Sequence, residues 1–387
     1  MSESFGQALK RLRGSRSLRD VARLASVSKS QVSDLENGRR KPTAQSAAAL
    51  DRALEAHGEL VVLAEAESGP SSLEQADSLQ RGLHEAFAAG PLSGVSLDEV
   101  EWTVARHGRA TRYRPESELL PDLITDFADL RLLMTGRQSE RVRKRLTIAA
   151  ARMSGLVALT LLKMGDERAK SWWRTGRAAA ASAEDRATLS WIYAQEAYQL
   201  YYSGDLYGAV ELAVRAQHWA GGLPCVGPAL AAPLEARAHA LLSRPDATAV
   251  ALAHAQDALN RLPDEDREES AFSYSESQMA FHAGNAWTHL EDSDRASAEL
   301  TRALDLYPCS DHTDRALVRL DLAMCTAIAG DPASAAEQAM NTVVELPEEH
   351  RTALIMCRAR DVADRVPEAR RVLEVKALRE ILAQPSE

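Results

Sequence analysis

A chain of 387 residues exceeds one ordinary hydrophobic core, so two or more domains are expected. With 45% hydrophobic, 26% charged and only 5% aromatic residues, the composition is globular, and scarce β-branched and aromatic alternation excludes a mainly β fold. A net charge of -10 argues against nucleic-acid binding over the whole surface, yet residues 1–42 carry ten Lys/Arg against four Asp/Glu, a local +6 against -16 for the remainder.

The chain opens MSESFGQALK, without the apolar stretch of a secretory leader. Phe5, Ala8, Leu9 and Leu12 recur at helical spacing up to Gly14, a suitable helix stop. Ser17 then caps a helix over LRDVARLA, with Asp20 three residues on as a box-like partner. Ala25-Ser26-Val27 separates this helix from a second one capped by Ser28, with Gln31 at the capping-box position. Val32 and Leu35 face inward, Gly38 ends the helix and Pro42 follows. Two short helices joined by a three-residue turn, closed by Val21, Ala22, Val27, Val32 and Leu35, describe a helix-turn-helix. Lys29, Ser30 and Gln31 open its second helix, where such a helix offers side chains to base edges in the major groove. Arg39, Arg40 and Lys41, just beyond the helix, fall where backbone phosphates lie.

Over about residues 5–63, and most specifically in SVSKSQVSDLENGRRKP, the chain resembles Cro/XRE-type helix-turn-helix regulators. The resemblance implies that Lys29, Ser30 and Asp34 read bases and that Gln31 and Arg39 hold phosphate. Two positions depart from the pattern. Ser26 stands for the turn glycine and must carry a small left-handed backbone cost. Leu18 stands for the phosphate-gripping Gln, a role that Arg16 or Arg19 would take over. The DNA-facing set is then Arg16, Ser17, Arg19, Ser28, Lys29, Ser30, Gln31, Ser33, Asp34, Arg39, Arg40 and Lys41. Asp34 either accepts from a cytosine amino group or forms a surface pair with a neighbouring Arg.

AAALDRALEA and ELVVLAEAE complete a domain over residues 1–66. Residues 67–119 read as linker and connecting helices, with ESGPSS at 67–72, PLSG at 91–94 and RYRPESELLPD at 113–122 as punctuation. SGLVALTLLKMG is too short for a membrane span and reads as a core helix. From residue 120 to 387 Ala-rich helical hairpins are expected.

In AGNAWTHLEDSDRASAELTRALDLYP, Gly284, Ala296, Ala303 and Pro308 occupy the small-residue and helix-ending positions of a 34-residue hairpin repeat. Ala251, Ala258 and Pro263 repeat the pattern, as do Gly330, Ala335 and Pro347, then Gly204, Ala209 and Ala216, and more loosely Gly165, Ala169 and Gly176. These segments resemble tetratricopeptide repeats. The expectation is an all-α chain in which a small helix-turn-helix domain precedes a TPR-like α-solenoid of five or six helix pairs.

Nine of the fourteen Trp and Tyr residues fall between 172 and 219. Trp191, Tyr198, Tyr201 and Tyr202 there, with Asn285 on a repeat's first helix, are the candidate ligand contacts, since Tyr and Trp suit sites with one wet side. The basic run RQSERVRKR (137–145) reads as a solvated helix face.

The sequence contains no phosphate loop, H-E-x-x-H or G-x-S-x-G motif. Four cysteines without a C-x-x-C pair suit a reducing cytosol. No catalytic role, metal or cofactor is expected, and no membrane. The partners implied are double-stranded DNA, a second copy of the chain, and a peptide, small-molecule or protein effector. Domain order and Arg/Ala-rich composition resemble the repeat-bearing regulators of actinobacteria such as Streptomyces, which implies a cytoplasmic, nucleoid-associated transcription regulator. An interaction scaffold with weak non-specific DNA binding, or a phage- or antitoxin-like repressor, is the alternative.

Overall fold

The computed structural model describes residues 3–68, 94–365 and 372–383. The linker expected at 67–72 lies outside them from residue 69 on, as do residues 91–93. The chain divides into two compact units, Met1–Phe87 and Ala88–Glu387, and every regular element among the described residues is helical.

The first unit holds α1 (Phe5–Arg13), α2 (Leu18–Leu24), α3 (Lys29–Glu36), α4 (Ala44–Leu54) and α5 (Glu59–Ser68). Helices α1 to α4 are each set by a capping side chain, Ser4, Ser17, Ser28 and Thr43, because helices this short are marginal in isolation. Ser4 and Gln7 exchange reciprocal bonds at the start of α1, and Thr43 and Ser46 do the same for α4. Phe5, Leu9, Val21, Val32, Leu35, Leu50 and Leu60 converge in the core at 2% exposure or less. Burying each contributes about 1.5–3 kcal/mol. Buried Asp51 ties the α4–α5 corner: its carboxylate accepts Gly58 N–H at 2.8 Å and Leu60 N–H at 3.0 Å.

The second unit begins with α6 (Gly94–Ala110), inside the stretch expected to be connecting helices, and α7 (Glu116–Thr135). Both pack on α8 (Glu140–Lys163). The helix α8 is long and apolar enough to cross a membrane, but 67% of that stretch is buried against the rest of the chain. It pairs with α9 (Ala169–Ser182). Five more hairpins follow: α10 (Arg186–Tyr202) with α11 (Leu206–Ala220), α12 (Val226–Leu241) with α13 (Pro245–Asn260), and α14 (Glu276–His289) with α15 (Ser293–Leu306). The last two are α16 (His312–Ile328) with α17 (Pro332–Glu345), and α18 (Ala353–Asp364) with α19 (Leu373–Leu382). First helices stack in series, α10 on α12 on α14 on α16 on α18. This is the hairpin repeat read from the sequence.

Small residues set the spacing. A Cβ at Gly284 would lie 2.6 Å from Leu300 Cγ, and Ala296, Ala303, Ala209, Ala216 and Ala335 are fully buried. One part of the repeat reading is corrected. Gly330, Gly204 and Gly165 are not close-packing positions like Gly284: they lie in the turns between paired helices, at φ +97°, +84° and +76°. Ala323 and Ala197, both fully buried, occupy the helical positions twelve residues before Ala335 and Ala209, as Gly284 does before Ala296.

Candidate functional site

The helix-turn-helix is built from α2, α3 and the turn between them. Ser17 accepts the Asp20 N–H at 3.2 Å and donates to the Asp20 carboxylate at 2.6 Å, which holds that carboxyl below its usual value. Ser26 adopts φ +55°, the left-handed conformation expected where the pattern has glycine. The Val27 N–H then bonds Ala22 O at 2.9 Å, closing the turn. Ser28 accepts the Gln31 N–H at 3.1 Å and shares a hydroxyl bond with Ser30 at 2.9 Å.

One detail differs from the sequence reading. Gln31 gives only its backbone amide to the cap: its side chain returns no bond to Ser28 among the described residues, leaving that amide for an external partner.

With Val32 and Leu35 sealed in the core, α3 presents exposed Lys29 and Ser30 and half-buried Gln31, Ser33 and Asp34. Asp34 enters no ion pair among the described residues; its carbonyl accepts Arg39 N–H at 2.8 Å and Arg40 N–H at 3.3 Å. That turn places Arg39, Arg40 and Lys41, all exposed, immediately past the helix. Arg16 and Arg19 are exposed beside the start of α2.

Not every basic residue is available. Arg11 is held by Glu3 and Glu59, and Arg13 by Glu36, with Arg13 Nη1 also donating to Arg16 O at 2.8 Å. Sequence reasoning missed both clamps, as it missed Gly6. A Cβ at Gly6 would sit 2.7 Å from the carbonyl oxygens of Leu35 and Glu36, so α1 touches the end of α3 backbone to backbone. No periodicity argument distinguishes such a glycine from an ordinary one.

The candidate ligand residues separate. Trp191 is buried, donates Nε1–H to Ala271 O at 2.8 Å and packs on Phe272, a structural role. Tyr201 is buried in the interior, bonded to His289 at 3.1 Å. Tyr198 and Tyr202 line a pocket of about 360 Å³ formed by α8, α10, α14, α16 and α18, with Lys170 of α9, Leu230 of α12, the turns that follow α6 and α8, and the α13–α14 connection at Ser270, Ala271 and Ser273. Asn285 does not reach this pocket. It is 2% exposed and joins a buried polar chain, accepting from Arg237 Nε at 2.6 Å and donating to Asp321 at 2.6 Å. His282 is buried between Tyr274 and Tyr198, and burial holds its imidazole well below the usual value.

No match was found among curated proteins. Among solved structures the chain is similar to BtubC (BKLC) from P. vanneervenii, at 17% identity and a TM-score of 0.41, covering 70% of this chain and 94% of that one. Residues 4–64, spanning the capped helices and the exposed face of α3 described above, match the family described as "Helix-turn-helix domain".

Proposed function

We propose that the protein is a sequence-specific DNA-binding transcription regulator, cytoplasmic and catalytically inert, whose helical repeats sense an effector and support a homodimer. The first unit would be of Cro/XRE type and the hairpins of tetratricopeptide type, as in actinobacterial regulators. One observation carries the reading. The start of α3 is held rigidly by its caps and by Val32 and Leu35, while Lys29, Ser30 and Gln31 remain exposed or half-exposed and an exposed Arg-Arg-Lys run follows. A rigid helix end with unspent donors reads base edges, and flanking cations hold the backbone. The pocket around Tyr198 and Tyr202 supports the sensing part.

The test is selection of bound duplexes from a random library, followed by fluorescence anisotropy at several salt concentrations. Lys29→Ala and Ser30→Ala should relax preference at single positions, costing about 1–3 kcal/mol there, while Arg39→Ala should weaken all duplexes and reduce the salt slope by about one. Uniform affinity for every duplex would favour the scaffold reading. Unchanged preference in both α3 variants would refute the docking of α3.

A further inference from the structure

The effector pocket continues into a recess whose chemistry differs from its own. The pocket wall is largely apolar, through Leu159, Leu162, Phe281 and Leu317, and the charged groups along it are paired within the chain, although Arg112 Nε keeps a buried donor without a bond. Arg112 is bound to Asp314 at 2.7 Å, Lys163 to Glu116 at 3.0 Å, Lys170 to Glu167 at 3.4 Å, and Asp166 to Arg168. Two side-chain amides are left over. Gln195 and Gln199, one turn apart on α10, are each 7% exposed, line the pocket and make no side-chain hydrogen bond among the described residues. The body of a fitting molecule is therefore uncharged, with a polar group or two toward α10.

The recess, of about 50 Å³, shares Tyr202, Phe281, Leu317, Leu354 and Cys357 with the pocket and lies against Arg237, Arg358, Asn285, Asp321 and Asp361. That is room for a carboxylate, given that one water takes about 30 Å³. Both of its carboxylates are engaged: Asp321 accepts from Arg358 Nε at 2.5 Å and from Asn285 at 2.6 Å, and Asp361 accepts from Arg358 Nη1 at 3.1 Å. Arg237 is 3% exposed and has no carboxylate partner among the described residues. Its Nε is taken by Asn285, and its Nη1 is buried without a bond. The rings of Tyr198, Tyr201, Tyr202 and Phe281 surround its charge at 4.6–5.9 Å, which offsets part of the burial cost but satisfies no N–H donor. The recess is formally neutral, Arg237 and Arg358 against Asp321 and Asp361, and Asp321 also attracts Arg237 through space. What Arg237 lacks is an acceptor for a buried N–H, and leaving such a donor unmet costs its full desolvation penalty.

We infer that the second unit binds an amphipathic organic monocarboxylate, its apolar body in the pocket beside Gln195 and Gln199 and its carboxylate in the recess on Arg237. This rests on the sensing role proposed above and names the class of effector. Isothermal titration calorimetry of the full chain without DNA, using octanoate and phenylacetate against octanamide and phenylacetamide, tests it. At least one acid should bind about tenfold or more tighter than its amide, the value of a charge-assisted bond over a neutral one. Arg237→Met should abolish that preference.

Because a core variant can misfold, a second readout uses the native chain. Cys357 is exposed on the wall shared by both cavities, and exposed Cys309 lines neither. The bound acid should slow N-ethylmaleimide labelling of Cys357 and leave Cys309 unaffected. No binding by either acid, equal binding of acid and amide, or equal protection of both thiols would overturn the assignment. Duplex anisotropy reads the first unit alone, so a failed acid titration with intact operator selection rejects the effector class and not the regulator.

Discussion

Ser26 shows how one residue carries a cost that the rest of a turn imposes. Its φ of +55° is forced by the tight α2–α3 connection, and a side chain there costs about 1–2 kcal/mol relative to the right-handed region. Glycine would remove that cost and add roughly 0.5–1 kcal/mol of backbone entropy to the unfolded state. Ser26→Gly should therefore stabilise the first unit by about 0.5–1 kcal/mol, seen as a higher urea midpoint in its unfolding. A lower midpoint would mean that the Ser26 side chain contributes more than its strain. The sequence exposed this residue because the resemblance names the position. Arg237 had no such signal. It sits in PLEARAHA on an Ala-rich helix, and only the convergence of four aromatic rings and Asn285 on its guanidinium sets it apart.

Among the elements, α1 and α3 are the pair on which the proposed recognition would depend. Their separation is fixed by Gly6 against the Leu35 and Glu36 carbonyls and by the Arg13–Glu36 ion pair. Two effects compete in Gly6→Ala. Helix propensity favours alanine by up to about 1 kcal/mol, whereas a Cβ 2.7 Å from two backbone oxygens forces the helices apart at about 1–3 kcal/mol. The clash should win, because neither oxygen can rotate away as a side chain would. Gly6→Ala should lower the thermal midpoint of the first unit and weaken operator binding without touching a DNA-facing residue. Unchanged values in both measurements would show that α1 has room to shift. Among the repeats the same logic separates two kinds of glycine. Gly284 is required by packing on Leu300, whereas Gly330 serves a turn, a distinction that spacing alone did not reveal.

For the whole molecule, the proposed docking would let one helix-turn-helix contact a single half-site, so useful affinity would call for two copies. Sedimentation should give about twice the chain mass of 42.2 kDa, and selected operators should carry half-sites one or more turns of about 10–10.5 base pairs apart. A monomeric mass together with full operator affinity would sink the dimer. Sequence alone determined the helical class, the serine-capped helix pair of the helix-turn-helix, and the hairpin pattern of the repeats. Each of these follows from local rules: capping residues, period-3.6 apolar faces, and small residues where helices close. Tertiary structure decided which cations are already spent on carboxylates, which tyrosines face a cavity, and that Asn285 belongs to a buried chain ending at an unpaired Arg237. The physical reason is distance along the chain. Tyr198, Arg237, Asn285, Asp321 and Arg358 come from five different helices, and no local pattern encodes a meeting that only the stacking of first helices brings about.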